Sequence, residues 1–118
     1  MENVKMNIFN IVGHGTCVLP EDGDKVYLSI EQAFLENKEV ILSFKNVNKV
    51  TSAFLNNAIG RLYDQFDEEF IKNNLSIEDI SNSSTMILKR VIKIAKGYYE
   101  NPQKIKDSLK ETFGNLNE

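Results

Sequence analysis

Residues 38–66 read KEVILSFKNVNKVTSAFLNNAIGRLYDQF, and this stretch decides the fold. Glu39 to Phe44 is a short run with Val40, Ile41 and Leu42 in a row. A strand open on one face alternates apolar and polar residues. An unbroken apolar run suits a strand covered on both faces, as in a parallel or mixed sheet. Lys45 to Lys49 is polar and short, which predicts a loop. Thr51 or Ser52 then offers a hydroxyl to the free N–H groups of a starting helix. Phe54, Leu55, Ala58, Ile59, Leu62, Tyr63 and Phe66 follow at spacings of three and four. They form one apolar face of a helix of roughly four turns. Asn57, Arg61, Asp64 and Gln65 fall on the other side. Gly60 costs such a helix roughly 1 kcal/mol against alanine, so its presence predicts close approach by a neighbouring element.

Working back from this unit, Met6 to Val12 has the composition of a strand, and Gly13-His14-Gly15-Thr16 that of a turn. Cys17 to Leu19 would be the returning strand of an opening β-hairpin. Pro20 suits the first turn of a helix, where its missing N–H does no harm. Glu21, Asp22 and Asp24 place negative charge at the positive end of that helix. Val26, Tyr27, Ile30, Ala33 and Phe34 make its inward face. Working forward, Asp67-Glu68-Glu69 opens a polar connection, with Phe70 and Ile71 in a short helical turn. Leu75 to Ile80 alternates at period two and reads as a strand with one wet face, near a sheet edge. Ser81 to Ser84 supply N-caps for a helix to about Tyr99, with Ile87, Leu88, Val91, Ile94, Ala95 and Tyr98 inward and Lys89, Lys93 and Lys96 outward. Asn101-Pro102 opens a narrow tail stripe of Ile105, Leu109 and Phe113, closed by Gly114. The layout is α/β: a mixed four-stranded sheet, an opening hairpin and then alternating helices and strands. Residues 1–100 form the domain and residues 101–118 a C-terminal helical tail.

The 118 residues suffice for one core without disulfides or metal. A single cysteine excludes an internal disulfide and fits a reducing compartment. No run approaches the length of a membrane span, and the first residues lack an apolar signal core, so a cytoplasmic protein is expected. Residues 1–85 carry 7 Lys+Arg against 13 Asp+Glu, and residues 86–118 carry 7 against 4. The net charge of −3 argues against nucleic-acid binding. The basic end is a patch for an acidic partner, or simply a solvated helix face.

Catalytic chemistry finds little support. His14 and Cys17 lie three residues apart, but zinc or nucleophilic chemistry needs further ligands or a base. The glycines around His14 lack the Gly-Lys-Ser/Thr of a phosphate loop and precede a strand. Asp64, Asp67, Glu68 and Glu69 lack the glycine and oxygen spacing of a calcium loop. No enzyme activity, cofactor or metal is expected.

The residues Ile41-Leu42-Ser43-Phe44, Val47, Val50 to Leu55, Ala58-Ile59-Gly60 and Leu62-Tyr63 resemble the STAS-like domain of unknown function. This is a relative of the anti-sigma factor antagonist domain. Glu21-Asp22-Gly23, Lys25-Val26 and Leu88 to Val91 extend the resemblance over about residues 8 to 100. It implies a non-catalytic regulatory module that binds another protein, of the ATP-binding kinase-like kind. In the antagonist relatives the turn before the central helix reads Asp-Ser-Ser-Gly, and its second serine is phosphorylated by the partner. Here the turn is Thr51-Ser52-Ala53-Phe54, with Ala53 at that position. The resemblance therefore implies docking without that phosphorylation, through Thr51, Ser52, Ala53, Phe54, Asn56, Asn57 and Arg61. Ile105, Leu109 and Phe113 form a candidate homodimer seam. The alternative is an inhibitor or adaptor of phage or mobile-element origin that covers a host complex. No nucleic-acid or membrane partner is expected.

Overall fold

A computed structural model describes residues 2–100, with side chains to Gly97. Among the described residues, five strands are interspersed with helices. β1 (Asn3–Asn7), β3 (Glu39–Ser43) and β5 (Leu75–Glu78) form a parallel sheet with β3 in the middle. β2 (Thr16–Cys17) and β4 (Lys49–Val50) form a separate parallel pair. This corrects the expected mixed four-stranded sheet: among the described residues the strands lie in two sheets, and every ladder is parallel.

The opening hairpin is also corrected. The strand lies earlier, at Asn3–Asn7, and Ile8–Val12 is a short helix, α1. Ile8, Ile11 and Val12 stand at helical spacing, and Ile8 and Val12 are buried. Gly13, at φ 96°, ends this helix rather than turning a hairpin, and its N–H donates to the carbonyl of Phe9. Gly15 serves close approach: a Cβ there would stand 2.3 Å from the carbonyl oxygen of Asn46. That contact seats the segment before β2 against the loop before β4.

α2 (Pro20–Leu35) starts on its proline and buries Val26, Tyr27, Ile30, Ala33 and Phe34, as the spacing predicts. The central helix follows β4 in three pieces: α3 (Ser52–Leu55), a π-helical turn (Asn56–Gly60) and α4 (Leu62–Gln65). Phe54, Leu55, Ala58, Ile59 and Leu62 are its buried face. α5 (Glu68–Asn74) leads into β5, and α6 (Asn82–Glu100) crosses the central helix on its outer side. Gly60 marks that crossing, since a Cβ there would stand 3.3 Å from Cγ1 of Val91. Leu88, Val91 and Ala95 are buried, whereas Ile94, expected inward, is 54% exposed. Phe34 meets Phe66 and Phe70 edge-on, and the latter two stack, which closes the core below α2.

The main sheet is covered more fully on one face than on the other. Val40 and Leu42 are buried, and Met6, Leu75 and Ile77 pack against the core beside them. The other face carries Lys5, Glu39, Ile41, the buried Ser43, Ser76 and Glu78. There the Lys5 ammonium reaches across β3 to Glu78 at 3.3 Å. The apolar run of β3 thus reports one fully covered face and one partly covered: Ile41 is half-buried among polar neighbours, and Ser43 beyond it is buried and donates to Asp79 at 2.9 Å. Residues 101–118, including Ile105, Leu109 and Phe113, lie outside the described residues.

Candidate functional site

The start of the central helix is fixed from two sides. Thr51 is extended, at φ −121° and ψ 162°, and its hydroxyl oxygen accepts the N–H of Phe54 at 3.2 Å. The same hydroxyl donates to the carbonyl of Val18 at 2.9 Å. Thr51 is thus a helix cap that also ties the β4–α3 turn to the β2–α2 turn. Ser52, Ala53 and Asn56 project from this frame and are exposed. Phe54 is 0% exposed and belongs to the core, so it presents nothing to a partner.

Asn57, half-buried, and Arg61, still exposed, both bond to α2. The Asn57 amide donates to the Pro20 carbonyl at 3.3 Å and to Oδ1 of Asp24 at 3.0 Å. Arg61 donates to the same oxygen at 3.0 Å, and its guanidinium lies 4.1 Å from the ring centroid of Tyr27. Tyr27 in turn donates to Glu31 at 2.7 Å. Burial, with that carboxylate beside it, pushes the Tyr27 phenol up to about 12. A Cβ on Gly23 would stand 2.4 Å from the carbonyl oxygen of Phe54, which shows how closely α2 and α3 approach. Of the seven predicted residues, three form a free surface, one caps, one is core and two lock α2 to the central helix. The hydrophobic pattern predicts the burial of Phe54. Asp24 as common partner of Asn57 and Arg61 lies 33 and 37 residues away in sequence, and no local signal announces it.

A second polar cluster forms beside the turn. His14 Nε2 lies 3.4 Å from Oδ2 of the buried Asp22, and Lys25 Nζ lies 3.3 Å from Oδ1. The backbone N–H of Thr16 donates to His14 Nδ1 at 3.2 Å. Nδ1 is therefore the acceptor, Nε2 carries the ring proton, and both ring nitrogens are engaged. Cys17 is fully buried; burial first, and then the Asp22 charge, pushes its thiol up to about 11. At neutral pH the sulfur is a protonated thiol, a poor nucleophile and a poor ligand. Among the described residues no three His, Cys, Asp or Glu side chains come together to hold a metal ion. None of the helices among them is long and apolar enough to cross a membrane.

The basic residues of α6 divide. Lys96 pairs with Glu68 at 2.7 Å, while Lys89, Arg90 and Lys93 are exposed.

No curated protein and no solved structure matches the chain significantly. A family model described as a STAS-like domain of unknown function matches residues 22–85, from the first turn of α2 to the first turn of α6. That segment holds the central helix, its capping turn and two strands of the main sheet, and it is more than half of the 118 residues. The chain belongs to the family of STAS-like domains of unknown function.

Proposed function

We propose that the protein is a non-catalytic regulatory module that docks another protein at the start of its central helix. The observation that carries this reading is the exposure of Ser52, Ala53 and Asn56 on a turn held rigid beneath them. Thr51 bonds both the helix and the neighbouring turn, and Asn57 and Arg61 pin the helix to α2. A preorganised surface binds with less ordering cost than a mobile one. The kinship with anti-sigma factor antagonists, which use the matching turn, supports the same location by analogy. The contact set is thereby narrowed to Ser52, Ala53 and Asn56. Thr51, Asn57 and Arg61 position it, and Phe54 supports it from the core.

The experiment is affinity purification of the tagged full chain from its own cells, with mass spectrometry of what co-elutes. It is run in parallel on Ser52→Asp and Asn56→Ala. One regulatory partner, recovered with the parent chain and lost with both variants, supports the docking surface. Unchanged recovery with both variants removes it.

A further inference from the structure

α6 carries an unused row of charge. Lys89, Lys93 and Lys96 stand at i, i+4 and i+7 and share one side of the helix. The last of them is anchored, with its ammonium 2.7 Å from Glu68. Lys93 and Lys89 lie one and two turns further from that anchor. They are exposed and form no ion pair among the described residues, and the same holds for Arg90 beside them. Met86, 65% exposed, continues the outer face one turn before Lys89.

The other side of the anchor has the opposite sign. Asp67 and Glu69 flank Glu68, and both are exposed with no ion-pair partner among the described residues. Asp67 stands at the N-cap of α5, yet its carboxylate makes no capping bond. A basic row and an acidic segment thus lie side by side, and the Lys96–Glu68 pair marks their boundary. Two adjacent patches of opposite sign are self-complementary under a two-fold rotation: each patch of one copy meets the other patch of its partner.

We propose that a second copy of this chain docks here, with the Lys89–Lys93 row of each copy on the Asp67–Glu69 segment of the other. Met86 supplies apolar contact within the charged frame. Packing α6 directly on a second α6 would oppose like charges, and the staggered arrangement avoids this. A nucleic acid would meet three adjacent carboxylates beside the basic row and a chain of net charge −3, so protein suits the surface better. The patch is small, so the dimer is weak and sensitive to salt.

Sedimentation velocity of the full chain tests the proposal. Between about 0.01 M and about 1 M salt the screening length falls from about 30 Å to about 3 Å. The weight-average mass should rise above the 13.5 kDa monomer at low salt and return to it at high salt. Lys89→Glu with Lys93→Glu should weaken association at least tenfold, and so should Asp67→Lys with Glu69→Lys. The chain carrying all four changes has the pattern inverted and should associate again, which separates a lost contact from a damaged fold. A monomer at every salt concentration overturns the proposal. A dimer indifferent to salt and to both reversals also overturns it, as does failure of the four-site variant to recover association while its melting temperature is unchanged.

Discussion

Thr51 uses one hydroxyl twice, as acceptor from Phe54 and as donor to Val18. Thr51→Ala removes both bonds and should cost about 1–2 kcal/mol by urea denaturation. Thr51→Ser keeps the oxygen in place and should recover most of that. Its capping role is legible from the sequence, because a hydroxyl before an apolar run at helical spacing has few other uses. The bond to Val18 is not, since it joins residues 33 apart. Cys17 permits a test against pH. Its thiol is raised from 9.0 to about 11 in the folded protein. The unfolded chain therefore loses this proton first as pH rises, so the folded state binds more protons between those values. Stability from this group is whole below pH 9 and declines toward pH 11. Replacing Cys17 with alanine should flatten that part of the Tm–pH curve, although it lowers the curve as a whole. A disulfide reagent at neutral pH should label the parent thiol only as fast as the protein opens. Immediate labelling of the native protein would contradict the burial described for it.

At the scale of elements, glycine spacing separates two kinds of reading. In a helix interior, Gly→Ala ordinarily stabilises by roughly 0.5–1 kcal/mol. Gly23 should reverse that sign, because its Cβ would meet the Phe54 carbonyl, a backbone atom in a helix that cannot easily yield. A Gly23→Ala variant that melts higher than the parent would show that α2 and α3 are less closely apposed than described. Gly60 was readable as a close-approach glycine because the helical pattern continued on both sides of it. Gly13 misled for the opposite reason: two glycines around a histidine suit a hairpin turn as well as a helix end, and the apolar residues before them fit either period. What could have decided the matter is Ile8, Ile11 and Val12, which fit i, i+3, i+4, while Val4 and Met6 alternate just upstream. The π-helical turn was not legible at all. It shifts Asn56 through Gly60 by a fraction of a turn without changing which residue types are apolar.

Across the whole molecule, long periodic elements are legible and short ones are not: α2 and α6 follow from their spacing, whereas the five-residue α1, the π-helical turn and β4 do not. The number of strands in one sheet was missed because the two-residue strands β2 and β4 are too short to carry a pattern. The unequal cover of the two faces of the main sheet is not legible, because Val40-Ile41-Leu42 has no alternation to read. It also yields a contrast within one strand. Leu42→Ala should cost about 2–5 kcal/mol as a core truncation, while Ile41→Thr, on the less covered face, should cost about 1 kcal/mol. Equal losses from the two neighbours would mean that the second face is covered as fully as the first.

The parallel ladders also bear on how the chain reaches this shape. Asn3 pairs with Glu39, Thr16 with Lys49 and Val40 with Leu75, so among the described residues no ladder joins positions closer than 33 apart. None of these strands finds its neighbour through a short turn. Each pairing must wait for a long loop to close, and that entropy is spent before any ladder bond forms. The earliest lasting order should therefore be helical, in α2 and the central helix. The sheet is then a late product, and folding should be slow for a domain of this length.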